Sequence, residues 1–266
     1  MGVLSNKIGR DNLKPGDHIY TWRRHIYSHH GIYVGEGKVI HFTQSRGEGQ
    51  AIGKGTLLNR IIVSSSPSNP LDIPCPICGD QSKLDGVISS CIDCFLLGGD
   101  LYLFEYGVKP AFFLAKVRGG TCTLASSDLP KEVIHRASYL LQNGFGVYDI
   151  CKNNCENFAI YCKTGLVVIT ITSVGGSGQA SSIASAVNVT GILYSPLLYL
   201  STSFNGLVAG VAGVAAVPVG IGMYCVNRLV SDLGVRRDVT KVPVEKLVFR
   251  TGSGESKAVT KMTKAD

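Results

Sequence analysis

One cysteine of the chain lies where an extended segment is predicted to give way to a helix. The run Asn153-Asn154-Cys155-Glu156-Asn157-Phe158-Ala159 follows Val147–Ile150, which has strand character, and opens a predicted helix Cys155–Lys163 that Gly165 ends. The exposed N–H groups and positive dipole end of a helix N-terminus stabilise a thiolate. Because the thiolate is the nucleophilic form, this placement predicts covalent catalysis by Cys155. The alternative is a small buried residue that begins a helix.

Histidines upstream of Cys155 supply candidates for its base. The run His29-His30-Gly31-Ile32-Tyr33-Val34-Gly35 and the run Lys38-Val39-Ile40-His41-Phe42 flank Glu36-Gly37, a pattern that predicts a β-hairpin. Antiparallel pairing brings His29 and His41 to one end of the sheet. A cysteine, a histidine that takes its proton and a polar residue that orients this histidine form the thiol version of a catalytic triad.

A separate cysteine cluster precedes Cys155. Cys75-Pro76-Ile77-Cys78-Gly79 and Cys91-Ile92-Asp93-Cys94 form two C-x2-C pairs with twelve residues between them. Four thiolates in two tight turns can close a tetrahedron around zinc, and such a site leaves no open position for water. We therefore expect a structural zinc ion on Cys75, Cys78, Cys91 and Cys94, and no cofactor for catalysis. The alternative is four reduced thiols in a loop.

Three motifs, His29-x-Gly-Ile-Tyr-Val-Gly, Val-Ile-His41 and Asn-Asn-Cys155-Glu-Asn-Phe-Ala-x-Tyr-Cys, together resemble the lecithin:retinol acyltransferase-like (LRAT-like) family. These are permuted papain-like thiol enzymes, in which the histidines precede the cysteine. Leu13–Ile19 is similar to the family's opening strand. The resemblance implies that Cys155 is the acyl-accepting nucleophile, His29 its base and His41 the residue that orients this base. His30 occupies a place that is often aromatic in the family, and is an adjacent competitor for the role of base.

The resemblance implies an α+β, permuted papain-like fold with an antiparallel sheet and a nucleophile helix. A Cys-rich insertion and a C-terminal apolar helical segment are added to it. We expect a catalytic domain at 13–165 with the insertion at 64–100, a membrane-associating segment at 166–230 and a basic, partly disordered tail at 231–266. Two features depart from the family pattern: the segment between His41 and Cys155 is long, and Asn157 stands where many relatives have a histidine.

The region between the insertion and Cys155 predicts supporting elements. The apolar runs Leu101–Tyr106 and Ala111–Ala115 favour strands or the edges of a substrate groove, and Asp128-Leu129-Pro130 predicts a helix start that Gly144 follows. His135 lies inside that helix, where we expect a surface position. The remaining thiols of the core region are assigned to packing: Cys122, Cys151 and Cys162.

The composition favours an intracellular protein that attaches to membranes. The polar, basic N-terminus predicts no secretory signal, and nine cysteines without one argue for thiols or metal ligands instead of disulfides. The net charge of +7 favours anionic surfaces. Because no aromatic-basic motif accompanies it, we expect membrane phospholipid as the partner and no nucleic acid. Gly2 offers a myristoylation site, although Asn6 replaces the favoured Ser or Thr.

The last third of the chain changes character. The 64 residues from Thr164 to Asn227 contain no Asp, Glu, Lys or Arg, and Phe204–Val226 gives 23 mostly apolar positions, enough to span a bilayer. The segment 183–200 is a weaker second limb for a hairpin, and the basic residues from Arg228 onward suit a cytosolic flank. We expect the catalytic domain in the cytosol. The alternative is a Gly/Ala-rich helical pair packed on the enzyme.

The favoured function is a thiol-dependent acyltransferase or phospholipase that acts on glycerophospholipid acyl esters through an acyl-thioester on Cys155. The lipid substrate is implied by the family resemblance. Amidase or peptidase chemistry with the same residues is one alternative. A non-catalytic membrane adaptor that retains the fold is another.

Overall fold

The computed structural model describes residues 6–23, 27–44, 74–81, 84–116, 118–149, 153–169, 173–174, 178 and 221–247. Several predictions lie outside these ranges, namely those on Gly2, Cys151, the 183–200 limb, nearly all of the 204–226 segment and the end of the tail. The described residues form a mixed α/β structure around an antiparallel sheet, as the predicted α+β class requires.

Within the described residues the main sheet has five strands. They are β1 (His18–Arg23), β2 (Tyr27–Gly35), β3 (Lys38–Thr43), β4 (Gly86–Cys91) and β5 (Tyr102–Leu103), in the spatial order β4-β3-β2-β1-β5. The predicted hairpin is confirmed: β2 and β3 pair antiparallel and Gly31 stands opposite His41. Glu36 and Gly37 make the turn with φ of 50° and 67°, a left-handed geometry that glycine favours.

The helices of the described residues are α1 (Ile92–Leu96), α2 (Pro110–Ala115), α3 (Pro130–Asn143), α4 (Cys155–Thr164) and one that includes residues 221–231. A smaller sheet follows α4 in the order β7-β6-β8, formed by β6 (Leu166–Val168), β7 (Ser173–Val174) and β8 (Val239–Lys241). Short 3-10 turns occur at Arg10–Asn12 and Val244–Lys246. Because β8 pairs with β6 and Val244 is buried, the first part of the predicted tail packs on the domain.

The predicted nucleophile helix is confirmed as α4, and both of its ends have a local cause. The Asn154 side chain accepts hydrogen bonds from the main-chain N–H groups of Glu156 and Asn157, and the Asn157 side chain accepts one from Asn154 N–H. This reciprocal capping box satisfies N–H groups that a helix start leaves unpaired. Gly165 ends the helix in the left-handed region, at φ 67°. Asn157, the departure from the family pattern, therefore has a structural role.

Two helices cover opposite faces of the main sheet. Ile32, Ile40 and Phe42 pack with α4, and α3 packs in turn on α4. The other face carries Gly31 and His41 and is covered by α1 through Phe95. A Cβ on Gly31 would lie 2.9 Å from the Phe95 ring, so glycine at this position permits α1 to approach the strand.

Helix α3 confirms the prediction made from Asp128-Leu129-Pro130. Pro130 is its first residue and His135 is exposed, with Nε2 2.8 Å from Glu245 Oε1. Arg136 is buried, donating to Cys162 O at 2.9 Å and to Asp128 at 2.6 Å, so it ties α3 to α4. Cys122 and Cys162 are buried, as predicted.

One local expectation was wrong in its strand alternative. Ala111–Ala115 is not a strand but belongs to α2, because Pro110 at the first helical position favours a helix start over a ladder. The described residues of the extended segment Val147–Ile150 form a loop with one bridge between Asp149 and Asn153.

The membrane-spanning prediction for Phe204–Val226 lies mostly outside the described residues, of which 221–226 are helical. No helix in the described part of the chain is both long and apolar enough to cross a bilayer.

Candidate active site

Cys155 lies at the start of α4 with its side chain fully buried. Its Sγ is 2.8 Å from the Tyr27 hydroxyl and 3.9 Å from the Tyr148 hydroxyl, and these two hydroxyls are 2.7 Å apart. The sulfur is also 3.8 Å from the Ser28 carbonyl oxygen. The nucleophile candidate is therefore enclosed by two phenols and the main chain of β2.

Burial controls the ionisation of this thiol. Removal from water raises the pKa of Cys155 to about 11, although hydrogen bonds from the Tyr27 hydroxyl, the His30 main-chain N–H and the Tyr148 hydroxyl oppose the rise. The positive end of α4 does not overcome the loss of solvent. In this conformation Cys155 is a neutral thiol near pH 7.

The predicted partners His29 and His41 contact each other. His29 Nε2 lies 2.9 Å from His41 Nδ1, and both rings are buried against Phe95 of α1. Burial lowers the pKa of His29 well below its ordinary value and that of His41 to about 3, so both imidazoles are neutral. The predicted proximity is confirmed, whereas the catalytic roles stay predictions.

A chain of four side chains fixes the proton positions of this pair. Gln81 Nε2 donates to the Ser89 carbonyl at 2.8 Å, which turns Gln81 Oε1 toward Ser90 Oγ. An amide oxygen only accepts, so the Ser90 hydroxyl must donate its proton to it. Ser90 Oγ therefore accepts from the Nε2–H of His41, 2.7 Å away.

The proton position on His41 in turn determines the proton position on His29. A neutral imidazole with a proton on Nε2 has a lone pair on Nδ1, so His41 Nδ1 accepts from His29 Nε2–H. This leaves the lone pair of His29 on Nδ1. That atom is buried and has no hydrogen-bond partner. The chain from Gln81 thus ends in an unoccupied base nitrogen.

His30 belongs to a different network. Its Nδ1 is 2.8 Å from His18 Nε2 and its Nε2 is 2.8 Å from Ser28 Oγ, while His18 Nδ1 is 2.7 Å from the Tyr106 hydroxyl. Burial lowers the pKa of His30 to about 3. Because both ring nitrogens of His30 are occupied, His29 is the better candidate for the base.

The structure does not join Cys155 to His29 by a hydrogen bond. The sulfur lies against the main chain on both sides of His29, near the Ser28 carbonyl and the His30 N–H. The His29 ring instead turns toward His41 and Phe95. The candidate nucleophile and the candidate base are therefore not in contact in this structure.

The four cysteines of the insertion come together as the spacing predicts. Their sulfurs all lie within 4.8 Å of one another, with Cys75–Cys91, Cys78–Cys91 and Cys78–Cys94 separations of 3.7, 3.8 and 3.4 Å. A tetrahedral zinc with Zn–S bonds of about 2.3 Å requires sulfurs roughly 3.8 Å apart. The four thiols could therefore hold a metal ion.

Sequence reasoning missed the residues that complete both halves of the site. Tyr27 and Tyr148 contact the sulfur, and Ser90 and Gln81 orient the histidine pair. Ser90 and Gln81 lie in the insertion, one residue before Cys91 and three after Cys78. In the sequence, these two residues are marked only by their closeness to the paired C-x2-C motif, and that closeness does not predict a contact with His41.

Comparison with known proteins identifies relatives over most of the chain. The family model described as lecithin retinol acyltransferase matches residues 11–168. The protein LEAD-SENSITIVE 1 of Arabidopsis thaliana is 52% identical over 255 residues, which covers 96% of this chain and 93% of that protein.

Proposed function

The chain belongs to the lecithin retinol acyltransferase family, and from this premise we propose that it is a thiol acyltransferase or acyl hydrolase acting on glycerophospholipid esters. Family membership suggests acyl-transfer or thiol-hydrolase activity in general. The observation that carries the catalytic part of the proposal is the free, buried Nδ1 of His29, which the chain from Gln81 leaves as a base. The lipid substrate rests on the family resemblance.

The proposed reaction has two steps, acylation of Cys155 and deacylation of the thioester. His29 Nδ1 takes the proton of Cys155, and the sulfur attacks the ester carbonyl, so that a C–S bond forms and the C–O bond to the glycerol breaks. The leaving alkoxide receives the proton from His29. In the second step, His29 takes a proton from water, an amine or an alcohol as it attacks the thioester, so that a C–O or C–N bond forms and the C–S bond breaks. His29 then returns the proton to the Cys155 sulfur.

The described conformation is a resting state in this proposal. Both charges of a thiolate–imidazolium pair are disfavoured by burial, since the pKa of Cys155 is raised and that of His29 is lowered. Catalytic hydrogen bonds commonly tighten only when substrate is bound. Formation of the pair would require a larger rearrangement, because the His29 ring packs against Phe95 of α1 whereas the sulfur belongs to α4 and touches only the main chain of β2. Tyr27 and Tyr148 would then donate to the sulfur or to the carbonyl oxygen.

We further propose that zinc occupies the four-cysteine site and has a structural role. The sulfur separations suit a tetrahedral ion, and four thiolates leave no place for a reactive water. The ion would fasten the end of β4 and α1, which carry Ser90 and Phe95 beside the histidine pair. The permuted papain-like arrangement and attachment to membrane phospholipid, with the catalytic domain in the cytosol, are parts of the same proposal.

A second candidate is a non-catalytic adaptor that retains the fold. The complete burial of Cys155 and the absence of a hydrogen bond between its sulfur and His29 favour it. In that case the wild type would not react with thiol probes that require an accessible Cys155, and no lipid product would form.

The test combines a thiol-reactive probe with mass spectrometry of lipid products. We expect the probe to label Cys155 in the wild type, and phospholipid to yield a lyso-lipid together with a free or transferred acyl chain. Cys155→Ala should lose the product and the labelling at that position. Cys225→Ser is the matched control and should retain both, because Cys225 is another free cysteine, in the 221–231 helix, and lies outside the matched residues 11–168. Product formation by Cys155→Ala would overturn the proposal.

A further inference from the structure

A pocket adjoins the first turn of α4. Among its lining residues, Phe104, Phe113 and Ile160 are apolar, and Gly119 and Gly120 present main chain. Glu156, the residue after Cys155, also lines it. Part of the wall comes from beyond the family-matched region of residues 11–168, through Gly178, Arg228, Ser231 and Asp232.

Arg228 is the unusual group in this pocket. The residue is only 4% exposed, yet its Nη1 is buried and no described atom accepts a hydrogen bond from it. The guanidinium carbon lies 4.7 Å from the ring centre of Phe113 and 5.6 Å from that of Tyr224. Aromatic faces offset part of the cost of burying a cation but accept no N–H bond of ordinary strength. A buried guanidinium in this state points to an acceptor that a ligand brings.

The carboxylates around the pocket do not fill that role. Asp232 Oδ1 accepts hydrogen bonds from the Thr123 hydroxyl and from the main-chain N–H groups of Leu124 and Gly234 at 2.9–3.1 Å. Glu156 Oε1 accepts from Gly178 N–H at 2.9 Å. Nearby, Glu105 is paired with Lys116 at 3.4 Å. Arg228 opposes the rise that burial causes in the pKa of Asp232, so these two charges interact, but no described carboxylate lies within ion-pair distance of the Arg228 guanidinium.

We infer that this pocket binds a phosphate group through Arg228. A guanidinium presents N–H donors in a planar fork that matches phosphate oxygens, and the anion would neutralise the buried charge. If the proposed function holds, on which this part of the inference rests, the phosphate is the phosphodiester of the substrate lipid. Phe104, Phe113 and Ile160 then contact its apolar part.

The test is calorimetric binding to the full-length Cys155→Ala protein, which avoids turnover. The probes are inorganic phosphate, dihexanoyl phosphatidylcholine below its micelle concentration, and dihexanoylglycerol, which lacks the phosphate. We expect the phosphatidylcholine to bind at least about tenfold more tightly than the diglyceride. Arg228→Met should weaken phosphatidylcholine binding about 10- to 100-fold, the scale of hydrogen bonds to a charged group. Arg237→Met removes one exposed positive charge that does not line the pocket, and should change affinity less than about twofold.

The three probes distinguish a lipid headgroup from free inorganic phosphate as the ligand of Arg228. Tight binding of inorganic phosphate that needs Arg228, without binding of the lipid, would support a free-anion site and remove the headgroup assignment. Unchanged affinity for both phosphate ligands in Arg228→Met would overturn the inference. Melting of the ligand-free variant shows whether it folds, and we expect a higher melting temperature because an unpaired buried charge is lost. Since no turnover is measured, a failure of acyl transfer by the wild type would count against the proposed function alone.

Discussion

The two halves of the candidate site are built in different ways on two sides of β2. In the histidine half, the direction of every hydrogen bond is determined: each bond from Gln81 to His29 has one possible donor, and the chain ends at the unpaired Nδ1 of His29. The cysteine half is fixed by burial, with two phenols around a neutral thiol. In the proposed mechanism, His29 is therefore already set up to accept a proton, whereas Cys155 is not yet in contact with it.

Among the changes that test this difference between the two halves, removal of the proposed base should lower activity the most. We expect His29→Ala to lower kcat/KM at least about 100-fold, the usual scale for a positioned general base. His30→Ala should lose much less, because its ring nitrogens are committed to His18 and Ser28. Steady-state kinetics of both variants, with circular dichroism to check folding, measure the difference. The opposite ranking would assign the base to the His18–His30 network.

Interruption of the chain that orients His29 should have the next largest effect. Ser90→Ala and Gln81→Ala each remove a bond that holds the His41 proton on Nε2, and we expect kcat to fall about tenfold with KM nearly unchanged. A double-mutant cycle is the sharper measurement. Because the two residues act through one chain, the losses should be less than additive. Fully additive losses would mean that they support the fold separately.

Loss of the metal should affect the histidine half before the cysteine half. We expect about one zinc ion per chain by elemental analysis, with Cys78→Ser reducing it. Chelation should lower acyl transfer through Ser90 and Phe95, which adjoin Cys91 and Cys94, before it changes the labelling of Cys155 by the thiol probe. Protein purified without chelator that contains no metal would refute this prediction.

Acid should weaken the fold through the buried histidines. The folded-state pKa values of His18, His29, His30 and His41 are lowered by burial, so below about pH 6.5 the unfolded chain binds protons that the folded chain does not. Stability is full above that pH. It should be lost as the pH falls toward 3, by up to about 1.4 kcal/mol per pH unit for each histidine.

Urea unfolding at a series of pH values measures this slope. His30→Asn should make it shallower, whereas His135→Gln, at an exposed position, should leave it unchanged. A stability that does not vary between pH 6.5 and 4 would show that these imidazoles are not held neutral by the fold.

Local signals in the sequence were sufficient for much of this architecture. The glycine after α4, the acidic-Gly turn of the hairpin, the proline that begins α3 and the paired C-x2-C motifs each act over a few residues. Those features were predicted with nearly correct bounds. The contact between His29 and His41 followed from the hairpin register.

Features that depend on distant contacts could not be predicted. Ser90 reaches His41 across 49 positions of sequence, and Tyr27 reaches Cys155 across 128. No periodicity marks such pairs. Burial also reversed the expected effect of the helix N-terminus on Cys155, because desolvation outweighs the dipole. Arg228 was interpreted as a juxtamembrane charge, whereas it lines a pocket beside α4.

The most direct test of the account is to trap the acyl-enzyme. The full-length protein would be mixed with a phospholipid that carries one isotopically labelled acyl chain, quenched in acid and digested for peptide mass spectrometry. The account predicts the labelled acyl group on the Cys155 peptide, removable by hydroxylamine, absent in Cys155→Ala and formed at least about 100-fold more slowly in His29→Ala. A label on another residue, or lipid turnover that persists in Cys155→Ala, would contradict it.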